Sequence, residues 1–200
     1  MWVRITAFFP VGFQKNTKNE VHAFEPNPVD ADILRASSKY DDKWHIIESA
    51  LDEEVKTVDF NITKNSQCSS LHQPNLDNAL KLKDDIEVEK TLKIETRTIS
   101  QLFPDLKLKY GFSRPYLKMD TQGNDLYVAK GGKNFLKSFV GLQSELALRT
   151  LYKNQPSIYD ALEYYKSEGF KLSALIPNNA GHFPDLYEVD CIMYNGNYKE

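Results

Sequence analysis

Residues 116–125 read Y-L-K-M-D-T-Q-G-N-D. A short apolar run, Tyr116 to Met119, ends abruptly in Asp120, Gly123 supplies a turn, and a helical stretch follows. In an open α/β sheet, ligands bind in the crevice outside the carboxyl ends of the strands. An acid at that end is placed for chemistry, whereas an acid buried inside a strand opposes folding. An earlier run, Val21 to Phe24, stops in the same way at Glu25, just before Asn27 and between Pro26 and the apolar run. Two strand-terminal acids in one chain predict one shared crevice.

Outward from this stretch, Trp2, Ile5 and Phe8 or Phe9 have helical spacing, so residues 2–9 are expected to be a short helix and 1–20 a remnant helix with a linker. Val21–Phe24 reads as a buried strand, 29–40 as a helix, Trp44–Leu51 as a second strand and Thr57–Thr63 as a third. Lys64 to Lys90 has no clear period, which fits a helix or a mobile loop near the site. Thr91–Ile99 alternates as a strand. Leu126–Leu136 follows Asp120 as a helix that Gly131-Gly132 interrupts, and Phe139–Leu146 is a strand carrying Glu145. Ser157 and Asp160 form the start of a helix by a capping-box pattern, with Asp in place of the usual Glu or Gln. Lys171–Ile176 and Glu188–Tyr194, joined by a loop that holds His182, close the chain as an antiparallel hairpin. The order predicts an α/β doubly wound, mostly parallel sheet with an antiparallel C-terminal edge, in a single domain over residues 1–200.

The chain has 200 residues, 41% of them hydrophobic, 26% charged and 12% aromatic, a composition that folds rather than stays disordered. A net charge of −3 argues against a general nucleic-acid binder. Cys68 and Cys191 make no disulfide framework and read as reduced thiols of a cytoplasmic protein. No stretch reaches the roughly 18 apolar residues of a membrane span. The start resembles a signal peptide only superficially, since Pro10 breaks its apolar run. His22, His45, His72 and His182 are scattered, no spacing resembles a zinc site, and no metal is expected. D-T-Q-G-N-D has its glycine two places too early for a calcium loop. Neither a phosphate-binding P-loop nor a serine-nucleophile elbow is present.

Several segments recur in a fixed order: A-F-E-P-N-P at 23–28, S-A-L at 49–51, S-S-L at 69–71, L-K-M-D-T-Q-G-N-D at 117–125, Q-S-E-L at 143–146, Leu151-Tyr152 to Gln155-Pro156, and E-V-D-C-I at 188–192. From Val21 to Tyr194 this ordered set resembles the FkbM family of S-adenosylmethionine-dependent methyltransferases. The resemblance implies a Rossmann-like class I methyltransferase sheet of seven strands with the last antiparallel. It also implies methyl transfer from S-adenosyl-L-methionine, typically to a hydroxyl oxygen, on a small-molecule or glycan acceptor. On that pattern Glu25 holds the ribose hydroxyls, and the backbone near Ser49 and Ala50 lines the adenine. Asp120 lies beside the methionine moiety or the acceptor hydroxyl, where it orients or deprotonates; its alternative is a helix N-cap. Asn27 and Gln122 contact the cofactor or shape their turns. Glu145 contacts substrate, pairs with a base or holds the loop at Gln155.

The chain also departs from the family. An acidic, glycine-rich cofactor loop normally ends the first strand shortly before A-F-E-P, and here the only glycine upstream of Val21 is Gly12. The chain is therefore expected to begin after the first strand and to lack a central strand. Asp125 stands where glutamate is more usual. A truncated, non-catalytic binding module is the alternative to an enzyme.

Overall fold

The computed structural model describes residues 2–7, 20–78, 85–177 and 186–198, with only the backbone and Val3 described in the first segment. Phe8, Phe9 and His182 lie outside the described residues. The elements run β1 (Trp2–Ala7), β2 (Val21–Phe24), α1 (Pro28–Ser37), β3 (Trp44–Ile47), β4 (Ala50–Leu51), β5 (Thr57–Thr63), β6 (Val88–Arg97) and α2 (Ile99–Tyr110). They continue with β7 (Pro115–Asp120), α3 (Asp125–Gly131), β8 (Gly141–Ala147), α4 (Ile158–Ser167), β9 (Phe170–Pro177) and β10 (Glu188–Asn195). Seven strands form one sheet in the order β3-β2-β1-β7-β8-β10-β9, and β4-β6-β5 form a small second sheet. The fold is mixed α/β. In the large sheet β2, β3, β7, β8 and β9 share one direction, while β1 and β10 run against it.

Three expectations change. Residues 2–7 are a strand, not a helix, and they fill the central position that was expected to be empty. Val3 pairs with Phe24 on one side and Met119 on the other, both antiparallel. The physical reason is the pair of strand edges: without β1, β2 and β7 would each present a row of unpaired backbone groups, and one strand rich in β-formers satisfies both. Secondly, β10 is not at the edge but sits between β8 and β9, so the antiparallel strand lies one place in. Thirdly, the predicted strand Trp44–Leu51 divides, because β3 pairs with β2 while Ala50 and Leu51 turn away to pair with Thr96 and Arg97 of β6. Helix α2 was not anticipated. Thr98 caps its start by accepting from the Gln101 amide, and Gly111, at φ 65°, ends it.

Alternation along the strands separates two faces. Val3, Phe24, Leu117, Met119, Leu142, Leu146, Val189 and Cys191 are buried in the main core against Leu102 and Phe103 of α2, Leu126 and Val128 of α3 and Tyr165 of α4. Each fully buried apolar side chain of this kind contributes about 1.5–3 kcal/mol. The positions between them point the other way, and there Lys118, Asp120, Glu145 and Asp190 follow one another across three strands.

Candidate functional site

The carboxyl ends of the parallel strands meet at one rim. Phe24 of β2 and Met119 of β7 both pair with Val3. Neighbouring strands lie about 4.8 Å apart, so these two positions are about 10 Å apart, and Glu25 and Asp120 are the next residues along each. On the far side Met119 pairs with Ser144, which brings Glu145 level with Asp120. The two strand-terminal acids therefore stand at one rim of the sheet, two strands apart.

Gln122 ties the rim together. Its Nε2 donates to Glu145 Oε2 at 2.6 Å and to Asp120 Oδ1 at 3.2 Å, and its Oε1 lies 2.9 Å from the Tyr152 hydroxyl. That hydroxyl is also 2.8 Å from the Cys68 carbonyl oxygen. Asp120 Oδ2 accepts from Lys118 Nζ at 3.1 Å, as i and i+2 on one strand face. Below the turn, Asp125 is buried and accepts from the Thr121 amide and hydroxyl, the Ser144 hydroxyl and the Glu145 amide. One carboxylate thus fixes the ends of β7 and β8 to the start of α3.

Segment 66–75, part of the stretch without a period, lies across this rim. Ser66 Oγ donates to Asp30 at the start of α1, Ser70 Oγ donates to the Gln122 carbonyl at 2.6 Å, and the His72 ring meets Asn124 Oδ1 at 3.1 Å. Asn124 in turn donates to the Leu51 carbonyl. Sequence reasoning placed this stretch near the site but named none of these contacts, because their spacing follows the rim and not the chain.

The remaining predicted residues stand as follows. Asn27 caps α1, with Oδ1 accepting from the Val29 amide, and its own amide donates to Glu25 Oε1 at 2.8 Å. Ser49 is half-buried past the carboxyl end of β3, with its hydroxyl on the Ala50 carbonyl, and Ala50 is buried in β4. The next residue, Leu51, accepts from Asn124 at the rim. His22 and His45 stack at 5.0 Å beside Tyr110, away from the rim.

Charge is unevenly held. Burial pushes the Glu25 carboxyl up to about 7. Burial also acts upward on Asp120, but the Lys118 ammonium and the Gln122 amide outweigh it and hold Asp120 below the usual carboxylate range. Glu145 is raised well above that range by burial and by the nearby Asp120 and Glu188. Glu188, which the sequence reading did not single out, is 7% exposed and raised to about 7 by burial and by Asp120 and Asp125. The rim is rich in acids, with Lys118 held against Asp120. An open groove of about 620 Å³ between α3 and α4, lined by Tyr127, Lys130, Gln155, Asp160 and Tyr164, contains none of these carboxylates. Among the described residues, no group of His, Cys, Asp and Glu is arranged to hold a metal ion, and no helix is long and apolar enough to cross a membrane.

Residues 2–172 match the family model described as the methyltransferase FkbM domain. Comparison with curated proteins and with solved structures found no match. With the match spanning β1 through β9 and the ordered segments falling at the rim, this chain belongs to the FkbM methyltransferase family.

Proposed function

We propose that the chain is an S-adenosylmethionine-dependent O-methyltransferase of Rossmann-like, class I design. The acceptor is a hydroxyl on a sugar, a glycolipid or a secondary metabolite. When bound, the cofactor supplies an electrophilic methyl group on a sulfonium, which departs as a neutral thioether. The observation that carries this reading is the placement of Glu25 and Asp120 at one rim, two strands apart. The residues fit such a ligand. A buried carboxyl raised to about 7 is one whose charged form gains from added donors, and a ribose diol brings two. A rim carrying Asp120, Glu145 and Glu188 suits a positively charged group.

In this reading Glu25 orients the ribose, Asp120 sets the charge at the methyl-donating end, and Gln122 fixes Asp120 against Glu145. The backbone past Ser49 and Ala50 flanks the base. Segment 66–75 excludes water above the rim and holds the partners close, the positional part of the rate gain. Cys68 and Cys191 are free thiols, which suits a reducing, cytoplasmic setting. Isothermal titration calorimetry with S-adenosylmethionine tests the reading. Binding at micromolar to sub-millimolar concentration is the expected result, and no heat at millimolar cofactor overturns it.

A further inference from the structure

The acids at the rim are not equivalent. Both oxygens of Asp120 are engaged, one by Gln122 and the other by Lys118. Glu145 is bound by Gln122 and held strongly toward its protonated form. Glu188 differs: it is 7% exposed, and among the described residues its carboxyl accepts no hydrogen bond. Its oxygens are not among the buried polar atoms that lack a partner, so the small exposed part of the residue leaves the carboxyl open to solvent or to a ligand at the rim.

Its position is set by the sheet. Glu188 opens β10 and pairs with Ala147, while Asp190 pairs with Glu145. Glu188 and Glu145 are therefore diagonal neighbours on one face, about 7–8 Å apart, with Glu188 one step further out along the rim. Asp120, Asp125 and Asp190 all act on its charge, and Glu188 in turn acts on Cys68, Tyr152 and Glu145. Glu188, Glu145 and Asp120 thus share the rim at the carboxyl ends of β7 and β8, beside segment 66–75.

Resting on the methyltransferase reading above, we propose that Glu188, not Asp120, is the general base that receives the acceptor's hydroxyl proton. The hydroxyl O–H bond breaks, an O–H bond forms on a Glu188 oxygen, and the carboxylate becomes a carboxylic acid. The acceptor oxygen keeps the electron pair with which it bonds carbon. A base with a midpoint near neutrality is efficient at this step, because it is ionised in useful amount and still binds the proton well. Asp120, held below the carboxylate range by Lys118, is a weaker base and acts on orientation instead.

The test needs no identified acceptor. Carbon-13 NMR of labelled glutamate carboxyls, with Glu188→Gln to assign the resonance, follows the Glu188 titration in three states: ligand-free, with S-adenosylmethionine, and with S-adenosylhomocysteine, which lacks the positive sulfur. A base that faces the reacting centre senses that charge, so its midpoint falls by about one pH unit or more with the cationic ligand relative to the neutral one. Equal midpoints with the two bound ligands overturn the assignment while leaving the methyltransferase reading intact. Failure of both ligands to bind overturns that reading and the assignment with it. In a second measurement, at pH 8 and saturating cofactor, Glu188→Gln binds S-adenosylmethionine up to about tenfold more weakly, as the midpoint shift requires, and loses about a hundredfold or more in labelled-methyl transfer to a mixed panel of hydroxylated acceptors. Undiminished transfer by the variant overturns the assignment.

Discussion

Gln122 holds a backbone φ of 52°, and the residue after it, Gly123, holds 92°. Side chains rarely adopt this left-handed region, and when one does at a ligand rim the strain is sustained by the surrounding contacts. Here those contacts are the bonds from Gln122 to Asp120, Glu145, Tyr152 and Ser70. Gly123 has no such freedom to spare. A Cβ there would stand 3.3 Å from Gln155 Cγ and 3.4 Å from the Tyr152 ring. Gly123→Ala is expected to lower stability by about 1–2 kcal/mol, read as the shift of the urea midpoint. Glu25 gives a prediction about binding. A diol donates to the ionised carboxylate, so affinity for S-adenosylmethionine strengthens as the pH rises through about 7 and weakens up to tenfold per pH unit below it. Glu25→Gln removes this dependence and weakens binding by roughly tenfold or more, a difference that calorimetry between pH 6 and 8 measures.

Among the elements, β1 has the largest effect on the sheet. It completes β2 and β7 at once, and Val3 is 2% exposed between them. Val3→Asp places an unpaired charge inside the sheet at a cost of about 3–5 kcal/mol and frees two inner strand edges. The expected outcome is a fall in the urea midpoint together with concentration-dependent association in size-exclusion chromatography; a stable monomer would show that β1 is dispensable. The same strand marks the limit of what the sequence conveyed. Period and capping chemistry carried β2, β5, β7, β8 and α4 nearly to their ends, and Ser157 and Asp160 do form a capping box. The six residues of β1 were misread because Trp2, Ile5 and Phe8 satisfy a helical period, while the slot β1 fills is closed on one side by β7, more than a hundred residues away. Helix α2 was legible in principle. Ile99, Leu102, Phe103, Leu106 and Tyr110 have helical spacing and Thr98 and Gly111 bound them, but Pro104 inside the run disguises it. Glu188 was missed for a topological reason. An acid at the amino end of an antiparallel strand stands at the same rim as acids at the carboxyl ends of its neighbours, and the predicted hairpin already implied that orientation.

For the molecule as a whole, proton binding sets the balance of stability. Burial raises Glu25 and Glu188 to about 7 and Asp125 to about 6, and lowers His22 to about 4. His22 is buried with neither ring nitrogen hydrogen-bonded among the described residues, so its charged form is disfavoured. Near pH 5.5 the folded chain keeps protons on four carboxyls, Glu25, Asp125, Glu145 and Glu188, that the unfolded chain has largely shed, while the unfolded chain carries one proton on His22 that the folded chain lacks. The acids outnumber the histidine, so the folded state binds more protons and its stability falls as the pH rises from about 5 to 7, by on the order of 2 kcal/mol per pH unit. For a chain of this size the melting temperature of the ligand-free protein should drop by about 10 °C over that interval. Below about pH 4.5 the unfolded carboxyls also take up protons and the acid contribution stops changing, while the His22 cost, which builds as the pH falls from about 6.5 to 4, is complete near pH 4. Replacing Glu188 with Gln removes one raised carboxyl and should flatten the slope above pH 5, whereas replacing His22 with Phe should leave that slope steeper and raise the melting temperature most at pH 5 and below. A melting temperature that climbs from pH 5 to pH 7 in the ligand-free protein would show that these carboxyls are ionised in the fold, and with it that the rim is far better solvated than its burial implies.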